Sequence, residues 1–233
     1  MAITVVADQL EDEEHWLAER KNYLTSSAMF TWVGETPDWW QDTREDIIEE
    51  KFYGREKVFD QETETSIWHG KYDELNIINK FAYGSGLIAC QSHALYINDR
   101  WPGIAASIDG FVYPGEGKPQ PEASQDRDLM EGIQEYVNIQ CDGHWLLEIK
   151  KSTSVKWAKE CPDYYMAQLQ TQLHVLDLPA AVIVADTIKR GEHQKWRWFW
   201  DMRAHIVYRE HAWEGILDRC NKEFLKEKKG HGE

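Results

Sequence analysis

The chain has 233 residues, enough for one sizeable domain, and its 42% hydrophobic content with twelve tryptophans and ten tyrosines can fill a core. Lys and Arg total 26 against 41 Asp and Glu, a formal charge of −15 that argues against a general nucleic-acid coat while leaving room for an enzyme with a local basic lining. No run approaches the roughly 20 apolar residues that span a bilayer, and Met1 to Gln9 lacks the basic flank and apolar stretch of a signal peptide. A cytoplasmic protein with no membrane attachment is therefore expected. Cys90, Cys141, Cys161 and Cys220 lie far apart, which favours reduced thiols over disulfides or an iron–sulfur cluster.

In chain order, Glu11 to Lys21 has helical spacing through Trp16, Leu17 and Arg20. Thr25-Ser26-Ser27 forms an N-cap cluster for a short helix from Ala28 to Val33. Residues 34–68 are acidic and aromatic and read as an irregular insertion. Within it Trp39 and Trp40 are expected in buried packing or a subunit contact rather than stacked on DNA. Gly70 to Tyr83 reads as a helix. Leu87 to Ile97 and Gly103 to Tyr113 read as neighbouring strands joined by a turn, with a polar loop from Pro114 to Gln134 beyond them.

Trp145 to Lys150 is a strand, apolar around its charges. Pro162 opens a helix through about Leu178. Ala180 to Asp186 and Trp196 to Trp200 read as further strands, and Arg209 to Lys228 as an amphipathic helix burying Trp213, Ile216, Leu217, Cys220 and Phe224. The order predicts an α/β fold over residues 1–233, a central mixed β-sheet flanked by helices, with 209–233 as C-terminal helix and tail.

Two of these strands carry unusual cargo for a core. Asp109 follows the apolar run Gly103 to Ile108, and Glu148 and Lys150 project to one side of theirs, because side chains alternate along a strand. A Glu-x-Lys alone is usually an exposed, ion-paired face. Asp, then Glu-x-Lys on an apolar strand, then a helix rich in Gln and Tyr is a rarer order. It suits a divalent-metal site that cuts phosphodiesters. Mg²⁺ and Mn²⁺ prefer oxygen ligands, and Asp109, Glu148 and the Ile149 carbonyl supply them. A second ion would take Glu74. Lys150 could orient the attacking water, stabilise charge on the phosphate or, with its pKa depressed beside a metal, assist proton transfer. His69 is a weaker candidate than Glu74 for the upstream ligand. His144 and His174 read as structural, and the absence of a Gly-rich phosphate loop disfavours ATP use.

Gly70-Lys-Tyr-Asp-Glu74, Ser107-Ile-Asp-Gly110, Leu147-Glu-Ile-Lys150 and Tyr164-Tyr-Met-Ala-Gln-Leu-Gln170 together resemble the PD-(D/E)xK nuclease superfamily. More narrowly, they resemble the phage lambda exonuclease and YqaJ-type viral recombinases, over residues 16–33 and 68–186. The resemblance implies a restriction-endonuclease-like core in which Asp109 and Glu148 bind metal, two ions per site, and Lys150 is the catalytic lysine. Glu74 matches the upstream acidic residue near the second ion, and Gln168 an active-site glutamine touching water or phosphate. Arg20, Ser27, Ser107 and Lys156 match a pocket for a 5′-terminal phosphate, which hydroxyls and cations hold by charge-assisted hydrogen bonds.

Also implied are action on double-stranded DNA ends in the 5′ to 3′ direction, 3′ overhangs handed to a single-strand annealing protein, and a ring-shaped homotrimer. The chain departs from the pattern at Ile108, where a proline is usual, and at Lys156, where an arginine is expected and a point charge replaces a bidentate fork. Gln172 shares a helix face with Tyr164 and Gln168 and is expected at the surface. A restriction-like endonuclease on the same core, and a non-catalytic DNA-binding recombination partner, are the competing readings.

Overall fold

The structure, a computed structural model, describes residues 2–37, 40–55, 61–115, 144–152, 161–189 and 199–231. The chain opens with β1 (Ile3–Asp8), α1 (Glu13–Lys21), β2 (Leu24–Thr25), a 3₁₀ turn (Ser26–Ala28) and α2 (Met29–Val33). Next come α3 (Arg44–Phe52), the long α4 (Gln61–Ser85), and four short strands: β3 (Ile88–Gln91), β4 (Ala94–Asn98), β5 (Ile104–Ser107) and β6 (Gly110–Tyr113). The remainder is β7 (Trp145–Ser152), α5 (Tyr164–Val175), β8 (Ala180–Lys189), β9 (Phe199–Tyr208) and α6 (Ala212–Gly230).

The strands form two sheets, ordered β1-β4-β5-β2 and β3-β6-β7-β8-β9. β7 and β8 are parallel, and α5 is the crossover that such a pair needs. Alternation along β7 divides the larger sheet between two helices. Leu147 and Ile149 face α4 through Ile77, Ile78 and Phe81. Leu146 packs on the other side against Leu169 and Leu173 of α5, with Ala181, Ile183 and Ala185 of β8. The far face of α5 joins α2, α3 and α6 in a third cluster through Ala167, Met29, Ile47, Leu217 and Phe224. Each fully buried side chain of that size contributes roughly 1.5–3 kcal/mol.

The mixed sheet flanked by helices is as expected, but three segments differ. The strands expected at 87–97 and 103–113 are both broken. β4 pairs with β5 in one sheet and β3 with β6 in the other, so a single long hairpin bends and passes between sheets. The corner holds together through Ser92 N donating to the Asp109 carbonyl at 3.0 Å. Hydrophobic pattern alone does not mark such a bend, because both arms stay apolar.

The segment 34–68 is not irregular throughout. Thr43 and Asp46 form a capping box that starts α3, and α4 begins at Gln61, ahead of the expected Gly70. β1, which pairs antiparallel with β4, was not anticipated. Trp39, most of the loop after Pro114, and residues 196–198 lie outside the described residues. Trp40 is packed as expected, edge-on to Phe30 with ring centroids 4.9 Å apart. His174 is structural, its Nε2 donating to the Glu210 carbonyl at 3.0 Å. Cys90, Cys161 and Cys220 are free thiols.

Gly110 lets the corner close: a Cβ there would lie 2.4 Å from the Cys90 carbonyl oxygen. Gly110→Ala is therefore expected to lower stability by about 1–3 kcal/mol in urea unfolding. Gly215→Ala, on α6 with nothing within 4 Å of the added carbon, is expected to raise it by roughly 0.5–1 kcal/mol.

Candidate active site

The hairpin corner and the middle of β7 meet the inner face of α5, and there the predicted residues converge. Asp109 follows β5 directly, and its Oδ2 accepts a 2.6 Å hydrogen bond from Ile149 N. Glu148 is only 2% exposed. Its Oε1 accepts from Lys150 Nζ at 2.5 Å and from Gln168 Nε2 at 2.6 Å, and its Oε2 accepts from Gln172 Nε2 at 2.8 Å. A carboxylate this deep needs such donors, since an unpaired buried charge costs several kcal/mol.

Gln172 corrects an expectation: it is fully buried rather than at the surface. Its Nε2 also donates to the Ser107 carbonyl at 2.9 Å, while its Oε1 meets no donor among the described residues. Burying an unmet acceptor costs about 1–3 kcal/mol. Its four-residue offset from Gln168 was the signal that placed it on the same face.

Glu74 stands at the edge of this group on α4, accepting from Gln91 Nε2 of β3 at 2.8 Å. One residue earlier, Asp73 pairs with Lys151 of β7. These two ties, neither foreseen, hold α4 beside the site. His69 lies outside the described side chains.

The charges are unbalanced. Burial, reinforced by Glu148, holds the Asp109 carboxyl well above the ordinary carboxylate range, and burial raises Glu74 as well. For Lys150 burial acts downward, but Glu148, Tyr165 and Asp109 outweigh it and push the ammonium up. Its Nζ also lies 5.1 Å from the Tyr165 ring centroid. Lys150 thus stands as a cation beside Glu148. Among the described residues no three His, Cys, Asp or Glu side chains gather closely enough to hold an ion by themselves. The oxygen donors of Asp109, Glu148 and the Ile149 carbonyl, with negative charge in excess of one ammonium, suit a hard divalent cation in chemical type.

Next to this centre, Arg20 of α1 lies 4.4 Å over the Trp16 ring and donates to Ser107 Oγ and Ser27 Oγ, both at 3.4 Å. Thr25 Oγ1 lies 3.3 Å from Ser27 Oγ. Three of the four residues expected around a terminal phosphate are therefore together; Lys156 lies outside the described residues. Arg20 and Ser27 line a cavity of about 600 Å³, together with Ile47 and Glu50 of α3. Lys51, with a side chain 4% exposed, donates to the Arg20 carbonyl at 2.9 Å. Burial lowers the Arg20 pKa and Glu50 opposes the shift. The part played by α3 was not legible in its acidic sequence.

The geometry has solved counterparts. An alkaline exonuclease from Laribacter hongkongensis, LHK-Exo, superposes with a TM-score of 0.62 at 16% identity, covering 94% of each chain. Its structure in complex with dAMP gives a TM-score of 0.64 at 15% identity with the same coverage. A phage-related exonuclease from Haemophilus somnus gives 0.51 at 12% identity, covering 90% of this chain and 92% of that one. These likenesses show that the chain shares its fold with these exonucleases. No curated protein matches the chain in sequence. The YqaJ-like viral recombinase domain matches residues 15–179, and the chain belongs to that family.

Because burial and Glu148 both oppose ionisation of Asp109, its charge works against folding at neutral pH. Asp109→Asn keeps an oxygen for Ile149 N and removes the charge. In the presence of EDTA this variant is expected to be more stable than the parent in urea unfolding.

Proposed function

We propose that the protein is a metal-dependent deoxyribonuclease that degrades one strand of linear double-stranded DNA from its 5′ end. The observation carrying this reading is a hydrogen-bonded path: Arg20, which lines the cavity, donates to Ser107, and Gln172 donates to both Ser107 and Glu148, so an end-binding pocket and a cutting site are joined.

Asp109, Glu148 and the Ile149 carbonyl would hold Mg²⁺ or Mn²⁺, with Glu74 toward a second ion. The chemistry supplied there is polarisation of the scissile phosphate and activation of water. Lys150 meets the negative charge that builds on the phosphate. Gln168 spends its Nε2 on Glu148, which leaves its oxygen as the end that can accept from the attacking water. Arg20, Ser27 and Ser107, with Lys156, would seat the terminal phosphate and set a 5′ to 3′ direction. The resulting 3′ overhang suits a single-strand annealing partner. A homotrimeric ring around the duplex would reconcile the −15 charge with DNA binding, by keeping acidic surface outside. No described helix is long and apolar enough to cross a membrane.

Linear duplex with 5′-phosphate or 5′-hydroxyl ends and closed circles, incubated with Mg²⁺, test the reading. Loss of phosphorylated linear DNA with circles spared is expected. Glu148→Gln and Lys150→Ala are each expected to slow cutting at least about 100-fold while DNA binding persists in a mobility-shift assay. Cut circles would make the protein an endonuclease; binding without cutting would make it a recombination partner.

A further inference from the structure

Arg20, Ser107, Gln172 and Glu148 form one hydrogen-bonded line between the two places that the proposed function separates. Arg20 Nη1 donates to Ser107 Oγ at 3.4 Å. Gln172 Nε2 donates to the carbonyl of that same serine at 2.9 Å and to Glu148 Oε2 at 2.8 Å.

The direction of the Gln172 amide is dictated by its surroundings. Both partners of Nε2 are acceptors only, so a flipped amide would set oxygen against oxygen. The cost falls on the other end, where the buried Oε1 meets no donor among the described residues. A residue needed only to fill space here would be apolar, as the neighbouring Leu169 and Leu173 are. An unmet buried polar atom calls for a reason, and the reason lies at the nitrogen end.

We infer that Gln172 is a positioning residue that orients the Glu148 carboxylate and couples it, through Ser107, to occupancy of the pocket that Arg20 and Ser27 line. The inference rests on the proposed function above. A phosphate seated in the pocket draws off the hydrogen bond that Arg20 gives to the Ser107 hydroxyl. A shift of residue 107 then passes through its carbonyl to an amide that, among the described residues, is held by Ser107 and Glu148 alone. The site would thereby register a correct DNA end in the setting of its own carboxylate.

Gln172→Met keeps the volume and removes the donor; thermal unfolding checks that it folds. Mn²⁺ titration of the DNA-free protein by electron paramagnetic resonance is expected to show affinity weakened about 10–100-fold. Unchanged affinity would overturn the orienting role. Single-turnover cutting of 5′-phosphorylated and 5′-hydroxyl duplex is then run on the parent, Gln172→Met, Arg20→Lys and the double variant. Coupling predicts that Gln172→Met shrinks the preference for phosphate and that the double variant is no worse than the poorer single one. An intact preference with losses that multiply would overturn it. Should Gln172→Met not fold, Gln172→Asn, with its amide drawn back by one methylene, carries the same expectations.

A parent that binds Mn²⁺ and cuts but ignores the 5′ group would remove the coupling with the pocket, and the Mn²⁺ result would still decide the orienting role. A parent that binds no Mn²⁺ would sink the nuclease reading and this inference with it.

Discussion

A carboxylate buried to 2% exposure is the constraint around which this molecule is arranged. Glu148 is tolerable inside an apolar sheet only because Lys150, Gln168 and Gln172 all donate to it. Two of those donors come from α5, so the polar contacts fix the rotation and height of the helix on the sheet. The leucines of the same helix then supply adhesion without needing to choose a register. Adhesion and alignment are divided between two kinds of residue on one helix.

The same place is electrostatically uncomfortable. Asp109 and Glu74 are pushed toward their neutral forms by burial, and Lys150 is the ammonium set among them. α4 is drawn to this region by Asp73–Lys151 and Gln91–Glu74 rather than by neutralising the site. A fold optimised for stability would not gather charge in this way. Active sites often keep such tension where chemistry needs it.

The residues that gather around Glu148 were more legible in the sequence than the architecture was. Asp109, Glu148 and Lys150 could be read because acidic and basic residues stand out within apolar strands, and Gln168 because a motif carried it. The bend between β3 and β4 could not, since hydrophobic runs continue through it on both arms. Gln172 was misplaced for a related reason: an amide is read as a surface residue unless its buried acceptors are known, and Glu148 and the Ser107 carbonyl come from distant parts of the chain. The pairing of Lys51 with a main-chain carbonyl of α1 has no signature at all, because any residue presents a carbonyl.

The bent hairpin is held to its length at the tip and along its arms. Its closed tip, from Asp99 to Pro102, stands beyond the β4–β5 pairs and outside the path to Asp109. Added residues there would dislodge Trp101, which is buried with its Nε1 donating to Asp218 of α6 at 2.7 Å. Within β5, one added residue would turn every following side chain to the opposite face and carry Asp109 away from Ile149 N. Length changes among relatives should therefore avoid the tip as well as the arms. The spacing between Ile104 and Gly110 would be inherited as a unit even where the residues inside it drift.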